Sequence, residues 1–185
     1  MKNNHVKSVH LTDSIPTVNS RYMEKRANSQ LVLSLFSGID LLGDGFRKNG
    51  FCVVSAGDII LGQDIRDFHA IPGHFSGIIG GSPCQDFSRA RRTAPTGYGL
   101  EMIAQYVRIV TEGSPDWFLL ENVPGVPSVT IPGYTVLRFD LSPNDLGYAQ
   151  RRPRHFQFGS KIGLVLDIHR QDFNGETIPT LTASD

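Results

Sequence analysis

Apolar residues in this chain fall into short runs, separated by glycine, proline and acidic punctuation. Leu31 to Phe36 is a near-continuous apolar run and reads as a buried strand. Asp40 can cap a helix that follows, and Gly50 can stop it in a left-handed turn. Gly43 and Gly45 lie inside that helix, where each costs about 1 kcal/mol against alanine; close packing on a sheet is a reason to keep them. Phe51 to Ala56 and Phe75 to Ile79 read as a second and a third strand. Leu100 to Val110 places Ile103, Tyr106, Val107 and Val110 on one side of an amphipathic helix. Trp117 to Leu120 is a fourth strand, ending at Glu121-Asn122, and Tyr134 to Phe139 and His155 to Phe158 are a fifth and a sixth. Strands alternating with helical or loop segments predict an α/β fold, a doubly wound and mostly parallel sheet. The pattern divides the chain into a polar leader (1–29), one domain (30–160) and a tail (161–185) that holds one more apolar stretch, Ile162 to Ile168.

Composition narrows the setting. A chain of 185 residues, 39% hydrophobic and 19% charged, suits one soluble domain with a core of its own. No stretch is long and apolar enough to span a membrane, and no signal peptide opens the chain, so a cytoplasmic location is expected. The two cysteines, Cys52 and Cys84, have neither metal-ligand spacing nor a disulfide framework, and no metal is expected. Lys+Arg and Asp+Glu both number 18, so net charge says nothing about nucleic acid. Arginines do cluster, at Arg89, Arg91 and Arg92 and again at Arg151, Arg152 and Arg154. Most such clusters are solvated surface, but they are also where a polyanion would be held.

The candidate chemistry sits where strands end. Residues 80–88 read Gly-Gly-Ser-Pro-Cys-Gln-Asp-Phe-Ser and place Cys84 just past the third strand, with Pro83 fixing the backbone before it. A thiol there is either a small buried hydrophobe or a nucleophile. Phe36-Ser37-Gly38-Ile39-Asp40 forms a strand–loop–helix junction, where Gly38 permits close approach and Asp40 would repel a phosphate. That favours a ligand with a neutral or cationic centre. Asp58, past the second strand, can accept both hydroxyls of a ribose, and Asp64 can accept from an adenine amino group; taken singly, each also reads as a cap or a loop acid. Glu121 closes a hydrophobic strand, so burial should raise its pKa and leave a proton to give to a ring nitrogen. If residues 150–154 are extended, Arg152 and Arg154 share a face suited to a carbonyl or a phosphate.

Taken together these residues resemble the catalytic domain of the DNA cytosine 5-methyltransferases. The matching elements run in the family's order: Phe36-Ser37-Gly38-Ile39, Asp58, Asp64-Ile65, Pro83-Cys84-Gln85 with Phe87-Ser88, Glu121-Asn122-Val123, and Gln150-x-Arg152-x-Arg154. They cover about residues 31–160. The resemblance implies a Rossmann-like fold dependent on S-adenosylmethionine, acting on double-stranded DNA in restriction–modification. It implies that the cofactor lies against Phe36, Ser37, Gly38, Ile39, Asp58, Ile59, Asp64 and Pro83. It further implies that a flipped cytosine meets Cys84, Glu121, Arg152 and Arg154, and that Gln85, Ser88, Arg89, Arg91, Asn122 and Gln150 face DNA.

The chain also departs from that pattern. Asp40-Leu41 stands where the family usually has Gly-Gly, which is expected to alter the methionine end of the cofactor site. The gap between Asp58 and Asp64 is short, so a helix is expected to be missing there. In the residues after Gln150-x-Arg152-x-Arg154, the usual target-recognition domain and the last helix of the cofactor pocket are expected to be missing. Three readings follow: a minimal DNA cytosine methyltransferase, a remnant or split enzyme needing a partner chain for target recognition, and a cytosine methyltransferase acting on RNA.

Overall fold

Six strands carry the molecule, seen in a computed structural model that describes residues 11–12, 30–88, 91–171 and 173–179. Strand β1 (Leu31–Leu35) lies between β2 (Cys52–Ala56) and β3 (Gly77–Gly81), parallel to both. Strand β4 (Trp117–Asn122) runs parallel to β3. The last two, β5 (Thr135–Leu141) and β6 (Arg154–Ser160), are antiparallel to each other, and β6 inserts between β5 and β4. The order is therefore β2-β1-β3-β4-β6-β5.

Two helices cover opposite faces, as a doubly wound sheet requires. Helix α1 (Leu41–Lys48) brings Leu42 and Phe46 against Val32, Ile79, Trp117 and Phe158, with the Phe46 and Trp117 rings stacked at 5.5 Å. Helix α2 (Tyr98–Gly113) packs Met102, Tyr106, Ile109 and Val110 on Leu33, Leu35, Ile78, Phe118 and Leu120. The buried Tyr106 hydroxyl donates to the Ile78 carbonyl at 3.1 Å. Between Asp58 and Asp64 only a 3-10 turn, Ile59–Leu61, is found, in line with the short spacing there.

The differences from the sequence pattern have physical causes. Strand β3 covers Gly77–Gly81 where the apolar run placed it at Phe75 to Ile79, because its ladder to β4 continues through Gly80-Gly81. A side chain at Gly80 would meet the Tyr106 ring at 2.9 Å and the Leu35 carbonyl at 3.2 Å, so these glycines are the form a strand takes beneath a close-packed helix. Helix α2 starts at Tyr98, earlier than its apolar spacing indicates, and a distant carboxylate, Asp86, receives the Gly99 amide of its first turn. In the leader, Leu11–Thr12 pairs antiparallel with Val165–Leu166, while the other residues of 1–29 lie outside those described. In the tail, Ile178–Pro179 pairs parallel with Gln150–Arg151, so this segment folds back along the arginine-rich stretch.

Gly77 and Trp117 are register partners, and a methyl group at Gly77 would overlap the indole. Gly77→Ala is expected to lower the unfolding free energy by roughly 1–3 kcal/mol in urea titrations, the usual cost of overpacking. A loss below about 0.5 kcal/mol would mean that the Trp117 ring has room to move.

Candidate active site

At the carboxyl ends of β1, β2 and β3 lies a cavity of about 350 Å³, walled by Phe36, Gly38, Asp58, Ile59, Asp64 and Pro83 among others. The loop after β1 is tightly wound: Phe36, Gly38 and Asp40 all have positive φ, at 52°, 52° and 55°. Asp58 ties this loop to the next. Its carboxylate accepts from the Gly38 amide at 2.7 Å and from the Ile60 amide at 2.8 Å, and the residue is buried. Each carboxylate oxygen keeps a further lone pair with which to accept from a ligand. The Ser37 hydroxyl is buried without a hydrogen-bond partner.

Not every expected cofactor contact is on this wall. Ile39 points into solvent at 84% exposure. Asp64 lines the cavity, but its carboxylate already accepts from the Arg66 amide at 2.9 Å and the Arg66 guanidinium at 2.8 Å. These bonds hold its pKa below the ordinary value. Arg66 also reaches Glu101 on α2 at 2.7 Å and lies 5.8 Å from the centre of the Tyr98 ring, so it spans the mouth of the cavity. Arg66, Tyr98 and Met102 were missed as lining residues because they come from a loop and a helix start, and no local pattern in the chain marks them. The Asp40 carboxylate is turned towards the strands and does not line the cavity, so the expected change at the methionine end is not made by its side chain.

The second half of the site is built across β3 and β4. Their register sets Gly81 opposite Glu121, and Glu121 Oε2 lies 3.1 Å from where a Gly81 side chain would begin. Past Gly81 the chain enters the turn that presents Cys84, half-buried, whose carbonyl accepts from the amides of Phe87 and Ser88 at 3.0 and 3.1 Å. Glu121 pairs with Arg154 Nε at 3.1 Å. Burial raises the Glu121 pKa above its ordinary value, and the nearby Arg154 and Arg152 guanidinium groups oppose that without cancelling it. The raised proton affinity expected for this carboxyl is therefore present. Arg152 is exposed, and its backbone amide donates to the buried Ser142 hydroxyl at 2.8 Å.

Asn122, expected at DNA, is buried instead: its amide donates to the Ser82 carbonyl and hydroxyl at 3.0 and 2.9 Å. It holds the approach to Cys84 and faces no solvent. Gln85 and Gln150 are exposed, Ser88 half-buried and Arg91 exposed, with its guanidinium donating to the Asp86 carbonyl; Arg89 lies outside the described residues. Asp86, two residues past the cysteine, accepts from the Thr96 amide at 2.9 Å and the Gly99 amide at 2.9 Å. It thereby joins the two ends of the segment 87–95 and caps α2 from a distance, a role no sequence spacing reveals. Among the described residues no group of three or more His, Cys, Asp or Glu could hold a metal ion, and no helix is long and apolar enough to cross a membrane.

The family model of the C-5 cytosine-specific DNA methylases matches residues 31–130, which hold both strand ends and the Cys84 turn. The chain belongs to this family. A Neisseria gonorrhoeae protein, the type II methyltransferase M.NgoPII, is 30% identical over 75% of the chain and 50% of its own length. The type II methyltransferase M.MthTI of Methanothermobacter thermautotrophicus is 33% identical over 73% of the chain and 50% of its own length. A solved structure of a DNA modification methyltransferase encoded within an E. coli prophage is 26% identical with a TM-score of 0.56, over 71% of this chain and 46% of that one. The chain thus spans about half the length of the curated relatives it matches. The fold is that of the S-adenosylmethionine-dependent methyltransferases.

Glu121 gives a signed pH effect. A carboxyl whose folded-state pKa lies above its ordinary 4.5 stabilises the fold while protonated, and that contribution fades as pH rises through the raised value. From pH 4.5 upward the Tm of Glu121→Gln is expected to gain on that of the parent, as read by thermal scans at each pH. A difference that stays flat would place Glu121 at an ordinary pKa.

Proposed function

We propose that residues 30–160 form the catalytic domain of a DNA cytosine 5-methyltransferase that uses S-adenosylmethionine. One arrangement carries this reading: Glu121, with raised proton affinity, sits beside Gly81 at the strand end from which the Cys84 turn departs, while a cavity of about 350 Å³ opens on the same edge of the sheet. The volume falls within the usual range for small-molecule sites. Its polar groups also suit the cofactor: the Asp58 carboxylate to accept from ribose hydroxyls, Asp64 to accept at the adenine end, and the backbone at Phe36 and Gly38 for the amino-acid end. Bound there, S-adenosylmethionine supplies the methyl group.

Around it the chain's own residues do the following. The Cys84 thiolate adds to carbon 6 of a cytosine turned out of the duplex, forming a carbon–sulfur bond and placing an electron pair on the ring at carbon 5. Glu121 donates to ring nitrogen 3 and accepts from the exocyclic amino group, spreading the charge that attack creates. Arg154, already fixed against Glu121, holds the base carbonyl, and Arg152 steadies the loop beside it. Once carbon 5 is methylated and a base takes its proton, the electron pair returns to the ring and the cysteine leaves as thiolate. Gln85, Ser88, Arg89, Arg91 and Gln150 lie on the segments that meet DNA, where phosphate contacts supply much of the affinity. Asn122 serves this surface from behind, through Ser82.

Two measurements test the reading. S-adenosylhomocysteine should bind the chain in calorimetry. Asp58→Ala should weaken that binding about tenfold or more, the scale of a buried charge-assisted hydrogen bond. Methyl label from S-adenosylmethionine should enter genomic DNA with the parent and stay at background with Cys84→Ala, which still binds S-adenosylhomocysteine. Transfer that survives Cys84→Ala would sink the mechanism. Label in transfer RNA with none in DNA would move the substrate to RNA.

A further inference from the structure

Four polar groups meet beneath the start of α1, on the sheet face away from α2. Ser34 and Ser55 are register partners on β1 and β2, and both hydroxyls donate to one carboxylate, Asp40, at 2.7 and 2.9 Å. The Gly43 amide donates to the same carboxylate at 3.2 Å and the Arg47 guanidinium at 2.5 Å. Ser34, only 1% exposed, interrupts an apolar strand to make this contact. A methyl group at Gly43 would overlap the Asp40 carboxylate, which accounts for a glycine that helix propensity disfavours.

Asp40 itself adopts φ 55° and ψ 41°, a left-handed conformation that costs an ordinary L-residue about 1–2 kcal/mol. Its amide donates to the Ser37 carbonyl at 2.6 Å, closing the turn that contains Gly38. Glycine would reach the same conformation without strain but would also leave it freely. Aspartate reaches it because a short polar side chain can bond nearby, and here that side chain is bound to β1, β2 and α1 at once.

We propose that Asp40 is a positioning residue: anchored by Ser34, Ser55 and Arg47, with Gly43 as its clearance, it fixes the Phe36–Asp40 loop in its ligand-ready conformation before any ligand arrives. The inference rests on the reading of that loop as the cofactor loop. Burial pushes the Asp40 carboxyl up, yet the bonds from Ser34, Ser55 and Arg47 outweigh it and keep the group below its ordinary pKa, so the clasp stays charged at neutral pH.

Variants separate conformation from anchoring. Affinity for S-adenosylhomocysteine by calorimetry should fall in the order parent, Asp40→Asn, Asp40→Gly, Asp40→Ala. The glycine variant should be about threefold weaker than the parent and the alanine variant about tenfold or more, since alanine has neither the anchors nor the left-handed freedom. Without ligand, hydrogen exchange at residues 37–41 should accelerate about tenfold in Asp40→Gly while the amides of α2 keep their rates. Gly43→Ala should weaken binding in the parent and change little in Asp40→Gly, where no carboxylate is left to displace. The proposal is overturned if Asp40→Ala, folded by circular dichroism, binds as tightly as the parent and exchanges alike at 37–41. If the parent binds no S-adenosylhomocysteine, the cofactor reading fails, and the exchange rates alone decide for or against Asp40.

Discussion

Everything chemical in this molecule depends on the ladder between β3 and β4. It sets Gly81 opposite Glu121, and so fixes the distance between a turn that carries a thiol and a strand end that carries an acid. A shift of one residue in that pairing would turn Glu121 to the other face of the sheet. The register is pinned by size: Gly77 sits under Trp117, and Gly159 of β6 under Phe118, where side chains larger than hydrogen do not fit. Aromatic rings on both faces of β4 thus hold the site in place from the opposite end of the strand.

Much of this was legible in the sequence. The six strands and helix α2 follow from the apolar runs, and α1 from its cap at Asp40 and its stop at Gly50; the central strands are buried on both faces, while Cys52–Ala56 and Thr135–Leu141 at the two edges are mostly open. Strand ends also led to one edge of the sheet, since Asp58 and Cys84 follow β2 and β3 and Glu121 lies near the end of β4, three strands that run the same way. What the sequence hid are relations between distant residues. Helix α2 begins early because of Asp86, and Asn122 is buried because Ser82 offers it two acceptors. The antiparallel placement of β6 between β4 and β5 is equally silent in composition, since buried strands of either direction are apolar.

Charge is handled by local pairing. Asp40 is met by Arg47, Asp64 by Arg66, Glu121 by Arg154 and Asp145 by Arg170. Three of these carboxylates lie in the loops that follow strands, where an unpaired acid would disturb its neighbours. Asp58 is met differently: among the described residues its carboxylate accepts from backbone amides, as that of Asp86 does, and no ion pair reaches it at the sheet edge. A ligand bearing its own positive centre is compatible with that edge, whereas a phosphate would gain nothing from it.

The Asp86 clasp has a geometric corollary. With the chain pinned at residue 86 and again at residue 96, the nine residues between them must go out and come back. At about 3.4 Å per residue the span is roughly 30 Å of backbone, so the tip can stand no more than about 15 Å from its neck. Arg91 stays close to that neck, its amide donating to the Ser88 carbonyl at 3.2 Å and its guanidinium to the Asp86 carbonyl, so the clasp holds a cation beside the Cys84 turn.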